Sequence, residues 1–260
     1  QNKEIIDNNK KNEEQSTTNS DKPEKKLHKD KNYMISILKQ KYPSFLETFE
    51  LEEYINSGST GVVYGGKSKK VKKKQKIAFK FKIGDYKKDN SNNQEISILR
   101  KLHHKNITEI YAFLKMNDNY SNVCALELAN HGDLEHFQKV LLKRKVLSET
   151  ILNYFTKQIL DSLEYIHRCK IIHLDIKQGN ILVDSNLNIK LTDFSVSCSY
   201  SEFHPEDVIK FPYVGTSKYM SPEIIGRTEM KIKDAEKVDL YSLGVTLYNL
   251  AFGEYPYDLS

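Results

Sequence analysis

The sequence is poor in the features that mark secreted and membrane proteins. Among 260 residues there are three cysteines, Cys124, Cys169 and Cys198. They are far apart, odd in number and form no CxxC pair, which argues against a disulfide framework or a thiolate zinc site. Reduced thiols in a cytoplasmic or nuclear protein are the expectation. No apolar run approaches the roughly 18 residues of a membrane helix, and no N-terminal apolar stretch leads into a small-residue cleavage site. A membrane partner is therefore not expected. Charge of one sign is also in short supply: 40 basic against 35 acidic residues leave a net +5. Without a concentrated patch that surplus is too small to argue for nucleic acid. What is abundant is charge of both signs, 29% of residues against 38% hydrophobic, the pattern of a folded core carrying a solvated tail. The length allows one large domain or two small lobes.

Residues 1–32 are mostly Asn, Lys, Glu and Ser, with Ile5, Ile6 and Leu27 the only large aliphatics. They cannot bury enough surface to offset the entropy of ordering, so a disordered tail is expected. Residues 33–48 include a mildly amphipathic stretch, YMISILKQKYPSF, read as a short helix or linker docking on the main domain. Order begins near Phe49 with a strand (FELEEYI), a glycine-containing turn (NSGSTG) and a second strand (VVYGG). KSKKVKKKQK reads as a solvated hairpin loop, IAFKFKI as a third strand, and NQEISILRKL as a helix with Ile96, Leu99 and Leu102 on one side. Strands near 110–114 and 123–128 complete a small sheet. After Gly132 the pattern turns helical. SETILNYFTKQILDSLEYIHR is strongly amphipathic with Ser148 in N-cap position, and KVDLYSLGVTLYNLAFG reads as an apolar, buried helix.

Several residues carry chemistry by their type and order. Glycines in a turn let backbone N–H groups approach an anion closely. Lys80 lies on an apolar strand, and Glu95 follows fifteen residues later on a helix, where an ion pair could hold the ammonium over phosphates. The loop HLDIKQGN holds Asp175 and Asn180 five apart with Lys177 between them. A carboxylate in such a loop can accept a hydroxyl proton, while an Asn side-chain oxygen suits a hard cation. LTDFS adds a second carboxylate, Asp193. Any one of these alone reads as an ordinary turn former; the ordered set does not.

In that order and spacing the chain resembles the eukaryotic protein kinases of the serine/threonine type. The matching segments are NSGSTGVV, IAFK, NQEISIL, HLDIKQGN, DFS and GTSKYMSPE, with HHKNI, LELANHGDL and VDLYSLGV beside them, across residues 49–259. The resemblance implies an α+β, bilobal kinase-like fold spanning 49–260. It would have a small β-rich N-lobe (49–128) with one main helix, and a mostly helical C-lobe (129–260) lacking its last helices. It implies ATP and Mg2+ as cofactors and a protein substrate as partner. Ile55, Asn56, Gly58 and Gly61 would cover the nucleotide, and Val63 with Ala78 would sandwich the adenine against Leu182. Glu127 and Ala129 would offer hinge backbone, with Leu126 as gatekeeper. Lys80, held by Glu95, would grip the α- and β-phosphates; Asp193 and Asn180 would hold the metal; Asp175 would take the substrate proton; and Lys177 would steady the γ-phosphate. Lys177 together with Thr216 resembles the serine/threonine kinases rather than the tyrosine kinases. A catalytically silent kinase-like scaffold or nucleotide sensor is the alternative.

Four departures from the family pattern stand out. Asn56 takes the place of the first loop glycine, a position Asn suits because it tolerates positive φ. Leu174 replaces the arginine before the catalytic aspartate and cannot pair with a phosphate. The expectation is activity that does not need activation-segment phosphorylation, although Ser195, Ser197, Ser199 and Ser201 are candidate modification sites. Ser195 replaces the glycine of the metal-binding motif, where it either restricts a backbone flip or is simply tolerated. The chain stops at Ser260, before the arginine expected to pair with Glu223.

Overall fold

The computed structural model describes residues 30–58, 61–70, 76–84, 91–116 and 120–257. The tail up to residue 29, turn residues Ser59 and Thr60, and part of the lysine-rich stretch (71–75) lie outside the described residues. The chain divides into two compact units. One holds residues 30–96 and 109–128, the other 97–108 and 129–257.

The first unit opens with helices α1 (Lys31–Lys41) and α2 (Pro43–Thr48). Asp30 caps α1, its Oδ1 accepting from Asn32 N at 2.8 Å, so the helix starts two residues before the expected amphipathic stretch. Pro43 opens α2, where its missing N–H costs nothing. Strands β1 (Phe49–Ser57), β2 (Gly61–Ser68), β3 (Lys76–Ile83), β4 (Ile110–Lys115) and β5 (Tyr120–Glu127) form one antiparallel sheet in the order β1-β2-β3-β5-β4. Helix α3 (Ser91–Leu99) lies between β3 and β4 in sequence. Strand alternation in β3 sorts the unit. Ile77, Phe79 and Phe81 point to a core that also buries Leu51, Tyr64, Tyr120 and Met116, while Ala78, Lys80 and Lys82 point to the opposite face. Met34 and Leu38 of α1 are fully buried in that same core, with Phe45 of α2 packed edge-on to Phe79. Each such aliphatic contributes about 1.5–3 kcal/mol, so the segment before residue 49 is part of the sheet's hydrophobic core.

The second unit runs through α4 (Leu134–His136), a π-helical turn at Phe137–Leu141, and the long α5 (Glu149–Arg168). Ser148 occupies the N-cap position of α5 as expected, with extended backbone, although its side chain makes no capping bond. Short strands β6 (Ile171–Ile172), β7 (Ile181–Val183), β8 (Ile189–Leu191), β9 (Cys198–Ser199), β10 (Val208–Ile209) and β11 (Met230–Lys231) follow, with the small helix α6 (Pro222–Ile225) between the last two. They pair as β6-β9, β7-β8 and β10-β11. Helix α7 (Lys237–Phe252) buries Val238, Leu243, Val245 and Leu250 and ends at Gly253, whose φ of 74° is the left-handed conformation a helix C-terminus favours. The helix is less uniformly buried than its composition suggests, since Leu240 and Phe252 are exposed. Among the described residues no helix is long and apolar enough to cross a membrane.

Candidate active site

In the β-rich unit three register rows of the sheet place the predicted residues. Gly65, Ala78 and Leu126 are paired across β2, β3 and β5; Val63, Lys80 and Cys124 form the next row; Gly61, Lys82 and Asn122 form the third. Lys80 Nζ lies 3.5 Å from Glu95 Oε1, bringing together the ion pair read from sequence. Glu95 has a second partner that the sequence reading missed. Lys82 Nζ lies 3.9 Å from Oε2, and Lys82 is itself 8% exposed. The signal was present, because Lys80 and Lys82 are two apart on a strand and so share a face. The turn between β1 and β2 is closed by Gly58 N donating to Gly61 O at 2.9 Å. A Cβ on Gly61 would stand 2.3 Å from Phe81 O, so only glycine lets β2 approach β3 there. Asn56 lies on β1 opposite Val63, with its Oδ1 accepting from Ser57 N. Its φ is outside the left-handed region, so tolerance of positive φ is not what fits it there. Ile55 is exposed on the same strand. Glu127 ends β5, its N–H donating to Glu109 O at 2.8 Å.

In the helical unit the loop 173–180 is organised around two carboxylates. The first is Asp175. Its Oδ2 accepts from Lys177 Nζ and from Asn180 Nδ2, each at 2.8 Å, and its Oδ1 accepts from Thr216 Oγ1 at 2.8 Å. Lys177 Nζ also donates to Thr216 Oγ1 at 2.6 Å, closing a ring of three side chains to which Asn180 is attached at Asp175 Oδ2. The second carboxylate, Asp239 of α7, escaped the sequence reading although a fully buried acid in an apolar helix is unusual. Its oxygens accept from the backbone N–H of His173 and of Leu174, both at 2.9 Å, and Oδ2 lies 2.9 Å from His167 Nε2. Those bonds hold Leu174 at φ 66°, a conformation costing a bulky residue about 1–3 kcal/mol. Asp175 N donates to His173 Nδ1 and His173 Nε2 lies 3.0 Å from Thr192 O, which assigns the ring proton to Nε2. Gly215, at φ 99°, passes so close that a Cβ would meet Leu174 O at 2.4 Å.

Asp193 follows β8 at φ 65°, a region aspartate enters more readily than most residues. Thr192 N donates to Asn180 O at 3.0 Å, tying the two predicted metal ligands through adjacent backbone. Asn180 commits its amide nitrogen to Asp175, which leaves Oδ1 as its acceptor atom. Leu182 of β7 pairs with Lys190 and bridges to Asp133, and Ala129 is buried.

Leu174 joins an apolar cluster with Tyr200, Ile209, Phe211 and Met220 of the following segment. Two short ladders, Ile172↔Cys198 and Ile209↔Met230, pin that segment further. Ser195 stands outside the left-handed region, in a turn closed by Ser197 N donating to Phe194 O. Ser197 is 2% exposed with its hydroxyl on His173 O, so this conformation withholds it from modification; Ser199 and Ser201 are exposed. Burial, then the hydroxyl contact with Tyr255, holds the Tyr219 phenol well above its usual range. Glu223 is exposed and forms no ion pair among the described residues.

A sequence model of the protein kinase domain matches residues 49–260. The chain belongs to the eukaryotic protein kinase family. Its α+β fold, with a five-stranded antiparallel sheet and a helical unit, is the fold of that family. Similar proteins include the serine/threonine-protein kinase plk-2 of Caenorhabditis elegans, 33% identical over 78% of this chain and 29% of its own length. The serine/threonine-protein kinase TIO of Arabidopsis thaliana is 34% identical over 82% of this chain and 15% of its own. NUAK family SNF1-like kinase 1 of Homo sapiens is 32% identical over 81% and 30%. This kinase chain thus spans less than a third of the length of each of these relatives.

Proposed function

We propose that this kinase domain transfers the γ-phosphoryl group of ATP to serine or threonine hydroxyls of protein substrates. The observation that carries the reading is the hydrogen-bonded cluster of Lys177, Asn180 and Thr216 around Asp175. Three donors converge on one carboxylate and fix its orientation before any substrate arrives. A base preset in this way orients the substrate hydroxyl and receives its proton at a carboxylate oxygen as the oxygen attacks phosphorus. Lys177 has two acceptors in the ring, and turning one N–H toward the transferred phosphoryl stabilises charge there without moving the backbone. In the β-rich unit, Lys80 is the cation for the nonreacting phosphates, and Glu95 with Lys82 sets its place. The relatives named as serine/threonine kinases support the same hydroxyl class.

Asn180 Oδ1 and the Asp193 carboxylate are oxygen donors of the kind magnesium takes, and the committed amide nitrogen of Asn180 fits that role. Bound there, magnesium would neutralise charge on the phosphate oxygens.

The test is phosphate transfer from ATP to a mixed set of protein acceptors, with Asp175→Asn beside the wild type. Loss of a general base is expected to cost about 10²–10⁴-fold in rate. The variant should keep the rise in melting temperature that ATP and magnesium give the wild type, because no nucleotide contact has been removed. Transfer undiminished in the variant would sink the reading. A melting shift with no wild-type transfer would favour the silent scaffold.

A further inference from the structure

Beside the loop 173–180 lies a cavity of about 470 Å³ that none of the roles above uses. Its floor is neutral and firmly built. Gln178 is 3% exposed and donates its Nε2 to Asn249 Oδ1 at 2.7 Å, and Gln138 is 1% exposed and donates to Lys145 O and Leu250 O. The second pair of bonds anchors the segment 143–145 onto α7. The walls carry Lys139, Lys143, Arg144 and Lys145 against Glu135 and Glu254, an excess of two positive charges. Lys139 is already matched by Glu135 at 2.6 Å. Lys143, Arg144 and Lys145 are exposed and form no ion pair among the described residues. The far wall includes Tyr255, whose ring packs 5.8 Å from that of Tyr219 in GTSKYM.

Resting on the kinase reading, we propose that this cavity is a substrate subsite for an acidic side chain, carboxylate or phosphorylated, a few residues from the accepting hydroxyl. Three arguments converge. Gln178 is three residues from Asp175, so the cavity floor lies within about 11 Å of the base along the chain. An extended peptide covers that distance in about three or four residues. The floor amides offer no counter-charge to a basic side chain, whereas the unmatched walls attract an anion. Finally, the floor is preset by buried hydrogen bonds, so an incoming anion has only the lysine and arginine tips to order.

The experiment uses the full chain and a series of serine peptides with neutral flanks. Each peptide carries one Asp, one phosphoserine or one Lys at successive positions within four residues of the acceptor. The wild type is expected to favour the anionic peptides at one or two positions about three- to tenfold in kcat/KM, and less as salt rises. The comparison variant is Lys143→Glu with Arg144→Glu and Lys145→Gln. Glutamine at 145 keeps an aliphatic stem over Gly253, where the Lys145 side chain lies. The variant should lose or invert the preference, chiefly through KM, while phosphorylating the neutral peptide within about twofold of wild type. Retention of that neutral activity also shows that it is folded. A preference for phosphoserine alone, or for Asp as well, identifies which anion the subsite takes. Transfer with no preference in the wild type, or a preference that survives the charge reversal, overturns the subsite alone. A wild type that phosphorylates no peptide overturns the kinase reading and the subsite with it.

Discussion

Two carboxylates, one in each unit, are held in opposite ways. Glu95 is buried between two ammonium groups at 3.5 and 3.9 Å, distances of charge attraction rather than of hydrogen bonds. Asp175 is bound by three donors at 2.8 Å, two of which, Lys177 and Thr216, are also bonded to each other. A cation that must turn from a carboxylate toward a phosphate is best held loosely. A base that must present one oxygen to one hydroxyl is best held tightly. The contrast predicts that the Asp175 ring fails when any member is removed, while Glu95 tolerates losing one lysine.

Thr216→Val is the larger break. It removes the donor to Asp175 Oδ1 and an acceptor of Lys177 while nearly conserving volume. Hydrogen bonds to charged groups contribute about 1.5–3 kcal/mol, so kcat should fall on the order of 10- to 100-fold. The KM for ATP should stay near wild type, because Thr216 is in the other unit from Lys80. Steady-state kinetics with saturating peptide would check it, and an unchanged kcat would show that two donors suffice to fix the base.

Lys82→Met should have a smaller effect of a different kind. Glu95 keeps Lys80 but no longer has Lys82 beside it when Lys80 turns toward phosphate. The expected result is a rise of about fivefold in the KM for ATP, roughly 1 kcal/mol, with kcat nearly unchanged. Lys82→Arg should restore most of it. Lys80 still compensates the buried Glu95 carboxylate in the variant, so no buried charge is left unpaired and melting temperature should not fall in step with affinity. A parallel fall in both would make Lys82 a packing residue only.

Much of this arrangement was legible before any coordinates. Lys80, Glu95, Asp175, Asn180 and Asp193 are polar residues at fixed spacings in otherwise apolar surroundings, and spacing survives folding. Lys82 was missed because it sits inside a lysine-rich region where a further lysine reads as solvated. Strand alternation puts it on the face of Lys80, but its reach to Glu95 shows only in the fold. Asp239 was hidden for the opposite reason, as one carboxylate inside an apolar helix whose partners are backbone N–H groups 65 and 66 residues away. Backbone donors leave no mark in a sequence. Helices α1 and α2 were legible in part: the weak amphipathic signal gives a short docking helix, but not that Met34 and Leu38 are fully buried in the sheet's core.

The smallest expected effect tests what replaces the missing arginine at Leu174. An arginine there would hold a phosphorylated segment by charge; Leu174 instead packs against Tyr200, Ile209, Phe211 and Met220 of that segment. Apolar contact needs no modification to form, and the ladders β6-β9 and β10-β11 already order the chain on either side. Ser199→Ala with Ser201→Ala removes the exposed hydroxyls of β9 and its following turn without touching the cluster. Activity should stay within about twofold of wild type, and phosphatase treatment of the wild type should change it no more. Ile209→Ser, by contrast, puts an unsatisfied hydroxyl in the cluster and should lower activity while leaving the β-rich unit's nucleotide-induced melting shift in place. If alanine at 199 and 201 abolishes transfer, the segment depends on a charged partner after all, and the apolar cluster is packing beneath a phosphate switch rather than a substitute for one.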